Sequence, residues 1–305
     1  QRAFIGGLLV ALCAALLGVS LVLKRYSMIG DGLSHVSFGA LSIAVACGFA
    51  PIKFSIPVVI IAAFFLLRMA ENGKMHSDAA IAVVSASALA IGVIVTSLTT
   101  GLSTDVYSYM FGSVLAMSKD DVEMSVILSI IVLIVFVFCY HKIFAVTFDE
   151  NFSKASGVKV NSYNTLISIF TAVTVVIGVK MMGAMLISSL IIFPSLTSMR
   201  VYKSFLSVTI CSAVIAMINF IAGLIVSYVL SIPAGASVVV ANLIMFVAFI
   251  IVGNILNVIR LENIVNKIEK KNNDKTNDNN TTNNENTTKP DNTVTHDPTN
   301  EVDEH

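Results

Sequence analysis

Nine long apolar runs occupy most of this 305-residue sequence. The first extends from Phe4 to Leu23, which is 20 residues without a charge. At about 1.5 Å per residue, such a run crosses a hydrocarbon core of about 30 Å. Because lipid cannot hydrogen-bond an open backbone, the run must be a helix. The same reasoning applies to the other runs, at residues 35–50, 54–67, 79–98, 124–140, 163–179, 181–199, 205–230 and 234–259.

The composition excludes a soluble domain. Apolar residues make up 56% of the chain, charged residues only 12%, and the mean hydropathy is +0.85. We therefore predict an all-α, polytopic integral membrane protein with eight or nine transmembrane helices. The count stays open because residues 181–199 form a short run that contains Pro194. Such a segment can be broken or re-entrant and line a cavity.

The charged residues lie mainly in the connections and in the last quarter of the chain. The 19 basic and 19 acidic residues balance, so the net charge gives no sign of a nucleic-acid partner. We expect membrane lipid and no nucleic acid as partners. Connections rich in Lys and Arg face the cytoplasm. If the first residue lies outside the cell, nine membrane crossings place six of the basic residues in the cytoplasm. They are Lys24, Arg25, Arg68, Lys74, Arg200 and Lys203.

Composition divides the chain into three parts. Residues 1–260 hold the apolar runs and form the predicted transmembrane domain. In residues 261–271, apolar side chains recur at helical spacing, which predicts a short amphipathic extension in the cytoplasm. Residues 272–305 are mainly Asn, Thr, Asp and Lys, and we expect them to be disordered because they cannot bury a core.

Asp31 and His35 lie four residues apart at the start of the second run. At helical spacing their side chains share a face, and ionisable groups at membrane depth are rare and costly. A carboxylate oxygen with an imidazole nitrogen suits zinc or manganese better than calcium or magnesium. The pair is therefore a candidate metal site. The alternative is structural, with Asp31 capping the helix and His35 making one buried hydrogen bond.

A second candidate segment spans residues 148–160, between two runs on the predicted cytoplasmic side. Phe148 and Phe152 are four residues apart, with Asp149 and Glu150 beside them. A short helix with one apolar and one acidic face would suit the groove of a partner protein. The alternative is a connection that carries charge only to stay solvated.

Weaker candidates follow in two places. Gly183 and Ser188 belong to a stretch of small residues that ends at Pro194, which is typical of close helix packing and also of a hinge or pathway lining. Asp78 lies at the cytoplasmic start of the fourth run, where it is either a helix cap or a pathway group.

The sequence has no motif for phosphate binding or hydrolysis. GxxxxGK[ST], HExxH, GxSxG and CxxC are all missing from it. We therefore expect a conduit and not an enzyme. The energy for uphill movement would come from a partner or from an ion gradient, as in a proton-coupled secondary metal transporter.

Three segments in this order resemble the permease subunits of the ABC-type metal importers of bacteria, which take up zinc, manganese or iron(II). They are RYSMIGDGLSHVSFGALSIA, FDENFSKASGV and GAMLISSLIIFPSLTS, and FGSVLAMSKDDV is similar to a further family segment. The resemblance covers residues 1–260. Within the family, GDGLSHVSFGA is more similar to the zinc-uptake branch than to the manganese branch.

The resemblance implies a permease in the bacterial cytoplasmic membrane that alternates between outward- and inward-facing forms. It implies a homodimer, a separate ATP-binding subunit on the cytoplasmic side, and an extracellular or periplasmic metal-binding protein that delivers the ion. Asp31 and His35 match family positions implicated in cation passage. The segment around Phe148, Asp149 and Glu150 matches the loop that engages the ATP-binding subunit. No permanently bound cofactor is implied, only a transported divalent metal.

Overall fold

The computed structural model describes residues 2–71, 77–99, 119–256 and 258–259, and their regular structure is helical. The predicted extension at 261–271 and tail at 272–305 lie outside these residues, as does most of FGSVLAMSKDDV. The helices are α1 (Arg2–Leu23), α2 (Ser27–Ala46), α3 (Pro51–Glu71), α4 (Ser77–Thr99), α5 (Lys119–Phe148), α6 (Glu150–Ala155), α7 (Val160–Met182), α8 (Ala184–Val201), α9 (Phe205–Leu230) and α10 (Ala234–Leu256).

Within the described ranges, nine helices are long and apolar enough to span a membrane, all except α6. The predicted polytopic, all-helical fold is confirmed. One clear difference concerns α2, which begins at Ser27, whereas the apolar run suggested residue 35. The stretch of α2 that would span the membrane has a mean hydropathy of only 1.3, yet 72% of it is buried inside the protein. Because its polar residues face other helices and not lipid, low hydropathy does not end the helix.

Four helices form the centre of the bundle. In α1, α2, α7 and α8, between 56% and 78% of the spanning window is buried, against 22% to 33% in the other five long helices. The described residues up to Gly253 belong to one compact unit. The outer helices expose apolar side chains such as Phe138, which is 85% exposed, because their outward surfaces meet lipid. The polar side chains therefore lie mainly at the centre.

The turn between α1 and α2 is a tight C-terminal cap. The Tyr26 N–H donates to the Leu21 carbonyl at 2.8 Å, and the Arg25 N–H donates to the Val22 carbonyl at 3.1 Å. This is the Schellman pattern, which needs a left-handed residue after the helix. Arg25 supplies it with φ 62°, a position that glycine usually takes. The three-residue connection from Lys24 to Tyr26 is thus held by backbone hydrogen bonds.

The predicted break at Pro194 is wrong in its position. Pro194 lies inside a continuous α8, and the chain changes direction earlier, at Gly183, which alone joins α7 to α8. Gly183 has φ 91° and ψ 156°, a region open almost only to glycine. Since α8 has 18 residues, it spans about 27 Å and remains the shortest of the long helices in the described part.

Candidate functional site

Asp31 lies in the interior of α2, not at its cap. The N-cap is Tyr26, whose side chain makes no capping hydrogen bond, and Asp31 is the fifth residue of the helix. His35 follows one turn later, with its Nε2 3.7 Å from Asp31 Oδ2. That separation allows electrostatic attraction but is too long for a good hydrogen bond. The capping interpretation of Asp31 is therefore wrong.

The Asp31–His35 pair lies beside a close contact between the backbones of α2 and α4. A Cβ atom on Gly39 would lie 2.7 Å from the Ala88 carbonyl oxygen of α4. At 3.6 residues per turn, His35 points about 40° from Asp31, and Gly39 about 40° beyond His35. The contact with α4 therefore runs along one edge of the Asp31–His35 face.

The opposite edge of this face meets α8. The Ser188 hydroxyl donates to Ser34 Oγ at 3.1 Å, and Ser34 donates to the Gly30 carbonyl within α2 at 2.8 Å. Ser34 points about 60° from Asp31, away from His35. Asp31 and His35 thus lie in the angle between α4 and α8, with side-chain exposures of 41% and 27%.

The imidazole of His35 is incompletely satisfied. Its Nδ1 is buried and has no hydrogen-bond partner among the described residues. A buried polar atom without a partner costs roughly 1–3 kcal/mol, so such atoms are rare unless they have a use. The interpretation of His35 as an ordinary buried histidine with one hydrogen bond is wrong, because no described residue lies within hydrogen-bond distance of Nε2 either, Asp31 Oδ2 being 3.7 Å away.

The described residues offer the pair no third ligand of the usual kinds. In the described ranges, no group of three His, Cys, Asp or Glu side chains is placed to hold a metal ion. A closed structural zinc site uses four protein ligands. Two ligands can hold an ion only weakly, with water or other groups completing its coordination.

Phe38 lies on the same face of α2, one turn nearer the middle of the helix. It is completely buried, and a Cβ atom on Gly92 of α4 would lie 2.5 Å from its Cε1 atom. The aromatic ring therefore packs against α4 on the mid-membrane side of His35.

The second candidate segment is not one continuous helix. Phe148 is the last residue of α5, and Asp149 is the N-cap of α6, accepting a 2.9 Å hydrogen bond from the Phe152 N–H. The prediction of a single helix with Phe148 and Phe152 on one face is wrong, because the capping carboxylate starts a new helix between them.

Glu150 does not contribute to a free acidic face. Its Oε1 accepts from Lys24 Nζ at 2.8 Å and from Asn164 Nδ2 at 3.2 Å. Burial acts to raise the pKa of the Glu150 carboxyl, but these hydrogen bonds and the positive charges of Lys24 and Lys154 outweigh it and hold the pKa below 4.5. The carboxylate therefore stays ionised throughout the neutral range and ties α6 to α1 and α7.

The two phenylalanines remain open to the surface. Phe152 is 67% exposed and Phe148 is 59% exposed. Phe148 also touches two rings, Phe144 at 5.0 Å and Phe205 at 6.2 Å between centroids. Phe152 is thus the more available apolar group in this segment.

The weaker candidates have mainly structural surroundings. Asp78 is exposed in the first turn of α4, where its negative charge interacts favourably with the positive end of the helix dipole. Gly183 forms the α7–α8 junction, and Pro194 is buried inside α8. Of this group, only Ser188 reaches the Asp31–His35 region, through its bond to Ser34.

Sequence reasoning missed a buried polar chain between α8, α9 and α10. Asn219 Nδ2 donates to Asn242 Oδ1 at 2.7 Å, and Asn242 Nδ2 donates to Ser189 Oγ at 3.1 Å. Both asparagines are within 2% of complete burial. The signal was present, because each is an amide within a long apolar run, and interhelical hydrogen bonds of this type hold membrane helices together.

The chain is similar to membrane proteins of known metal transport systems. It is 26% identical over 245 residues to the high-affinity zinc uptake system membrane protein ZnuB of Haemophilus influenzae, covering 80% of this chain and 94% of that one. It is 27% identical over 246 residues to the manganese import system permease protein ScaB of Streptococcus gordonii, covering 81% and 88%. One relative is named for zinc and the other for manganese.

A solved structure shares the fold. PsaBC from Streptococcus pneumoniae, solved in complex with Fab, matches with a TM-score of 0.74 and 26% identity over 82% of this chain and 90% of that chain. The profile of the ABC 3 transport family matches residues 1–253, which include all the spanning helices except the last three residues of α10. The chain therefore belongs to the ABC 3 transport family, as a multi-pass permease of an ABC-type metal transport system in the bacterial cytoplasmic membrane.

Proposed function

We propose that this permease moves a divalent transition metal into the cell by alternating access, with Asp31 and His35 as a transient site on its path. The observation that supports this most is the unsatisfied His35 imidazole beside the Asp31 carboxylate, inside a helix that is otherwise tightly packed. Neither residue serves as a cap or completes a structural hydrogen-bond network. A passing cation would bind between Asp31 Oδ2 and His35 Nε2, which face each other at 3.7 Å, because Nδ1 is buried.

The pair suits an ion that must be released. A carboxylate oxygen and one imidazole nitrogen attract a transition metal without enclosing it, and transport requires binding weak enough to permit exit. The imidazole ligates only when it is neutral, so acidification weakens binding.

We propose zinc as the main cargo. An imidazole-containing site binds zinc more tightly than manganese or iron(II) in the usual order of divalent metals. The segment GDGLSHVSFGA also resembles the zinc-uptake branch. Manganese and iron(II) are the alternative cargoes of the same importer type.

We further propose the partners of this permease. A separate ATP-binding subunit docks against α6 and the end of α5, with exposed Phe152 as the main apolar contact and Phe148 beside it. Two copies of the permease pair, and an extracellular or periplasmic metal-binding protein delivers the ion. Asp149 and Glu150 shape the docking segment as its cap and its anchor, and do not themselves contact the partner.

Uptake into proteoliposomes tests the function and the cargo together. The permease, reconstituted with its ATP-binding subunit and supplied with the metal-binding protein on the outer side, should accumulate zinc only when ATP is present on the cytoplasmic side. Zinc uptake should exceed manganese and iron(II) uptake at equal free concentrations. Uptake by the permease alone, driven by a proton gradient, would instead identify a secondary transporter.

Phe152→Ala tests the docking surface. Loss of an exposed aromatic anchor from an interface costs roughly 2 kcal/mol, so co-purification of the ATP-binding subunit should weaken about 30-fold. Phe138→Ala is the matched control, since it removes an exposed phenylalanine from the middle of α5, where lipid is expected. Equal recovery of the ATP-binding subunit with both variants would contradict the assignment.

A further inference from the structure

Lys24, Glu150 and Asn164 form a closed triangle of hydrogen bonds. Lys24 Nζ donates to Glu150 Oε1 at 2.8 Å and also to Asn164 Oδ1. The Asn164 amide completes the triangle by donating to Glu150 Oε1 at 3.2 Å. The three residues come from the end of α1, the first residue of α6 and the second turn of α7.

Lys24 is unusual because its side chain is only 6% exposed. A lysine whose only role was to set the orientation of the protein in the membrane would keep its charge in water. Arg25, the exposed neighbour of Lys24, does so. Enclosing a lysine in an ion pair brings little net stability, since desolvation offsets the attraction. Such a pair is better explained by the geometry that it enforces.

That geometry connects the docking segment to the Asp31–His35 pair. Lys24 is the first residue of the short α1–α2 turn, and the hydrogen bonds of that turn hold it in one conformation. Seven residues after Lys24, α2 carries Asp31. A displacement of α6 that carries Glu150 with it therefore pulls on Lys24, and through the turn on the first two turns of α2.

We propose that Lys24 is a positioning residue that transmits movement of α6 to α2, so that ATP-driven movement at the docking segment changes the geometry of Asp31 and His35. This inference rests on the proposed function, because it takes α6 as the place where the ATP-binding subunit acts. It adds a residue and a route that the function alone does not specify.

The test measures metal ions transported per ATP hydrolysed in the reconstituted complex. Lys24→Met should retain co-purification of the ATP-binding subunit and at least half of the ATPase rate, while transport per ATP falls at least tenfold. Lys24→Arg should restore the ratio to within about twofold, because a guanidinium also donates to both partners. Arg25→Met is the matched control and should leave the ratio unchanged.

The exchange Lys24→Glu with Glu150→Lys provides a second variant should Lys24→Met fail to fold. The Asn164 amide has both a donor and an acceptor, so it can serve the reversed pair. The double variant should recover at least half of the wild-type ratio, whereas Lys24→Glu alone should not.

Two outcomes would overturn the inference. One is a wild-type ratio in Lys24→Met, and the other is failure of the exchange to restore the ratio in a complex that assembles and hydrolyses ATP. Failure of the proposed function would show separately, as no ATP-dependent uptake by the wild-type complex.

Discussion

Replacing Asp31 and His35 together with alanine should abolish ATP-driven metal uptake while the complex still assembles. The two side chains are partly exposed, and neither caps α2 nor anchors it to a neighbouring helix. Their removal therefore leaves the contacts of α2 with α4 and α8 in place. The proposed metal site, however, is lost with the two side chains. We expect uptake to fall at least a hundredfold, measured with zinc in proteoliposomes at saturating ATP.

Ser42→Ala is a suitable control for that double variant. Ser42 lies in the same helix, is buried, and donates only to the Phe38 carbonyl of its own helix at 2.9 Å. Its loss should leave uptake within about twofold of wild type. Near-normal uptake in the Asp31→Ala, His35→Ala protein, with the ATP-binding subunit bound, would remove the pair from the transport path.

Gly18→Ala should cause the largest loss of stability among single methyl additions to α1. A Cβ atom at this position would collide with the Ile191 carbonyl oxygen and lie 2.9 Å from Ser195 Oγ, both on α8. Because the main obstacle is backbone, the two central helices would have to separate. Overpacking of this kind costs about 3 kcal/mol, more than a hundredfold in the folding equilibrium. The Tm in detergent should fall by roughly 5–10 °C.

Gly6→Ala makes the same chemical change in the same helix and should be tolerated. The atom nearest to its new Cβ is Met181 Cε, 2.9 Å away at the end of a flexible side chain. That methyl group can move without moving a helix. Equal thermal shifts for Gly6→Ala and Gly18→Ala would show that the α1–α8 contact is looser than described.

The sequence predicts the spans well because each outer helix must meet lipid along most of its length. Prediction is weakest where a helix is enclosed by other helices. The start of α2 was missed by eight residues, since Gly30, Gly32 and Ser34 lower the local hydropathy but are buried among other helices. Pro194 was expected to break its helix, yet surrounding helices support it, and the change of direction falls at Gly183.

In the candidate site, too, the sequence predicts contacts between residues close along the chain but not contacts between distant residues. The four-residue spacing of Asp31 and His35 is local, and sequence alone places the two side chains on one face. The bond between Lys24 and Glu150 joins residues 126 positions apart, so no pattern along the chain could reveal it. For the same reason, Glu150 was assigned to a partner surface, although its carboxylate is directed at Lys24.

The left-handed backbone of Arg25 links the folded protein to its own synthesis. This conformation costs a non-glycine residue roughly 1–2 kcal/mol, and a glycine would relieve that cost. A glycine, however, would lack the positive charge that Arg25 adds to that of Lys24, and basic residues in a short connection favour the cytoplasmic side during insertion. Arg25 therefore combines backbone strain with a second positive charge at the same turn.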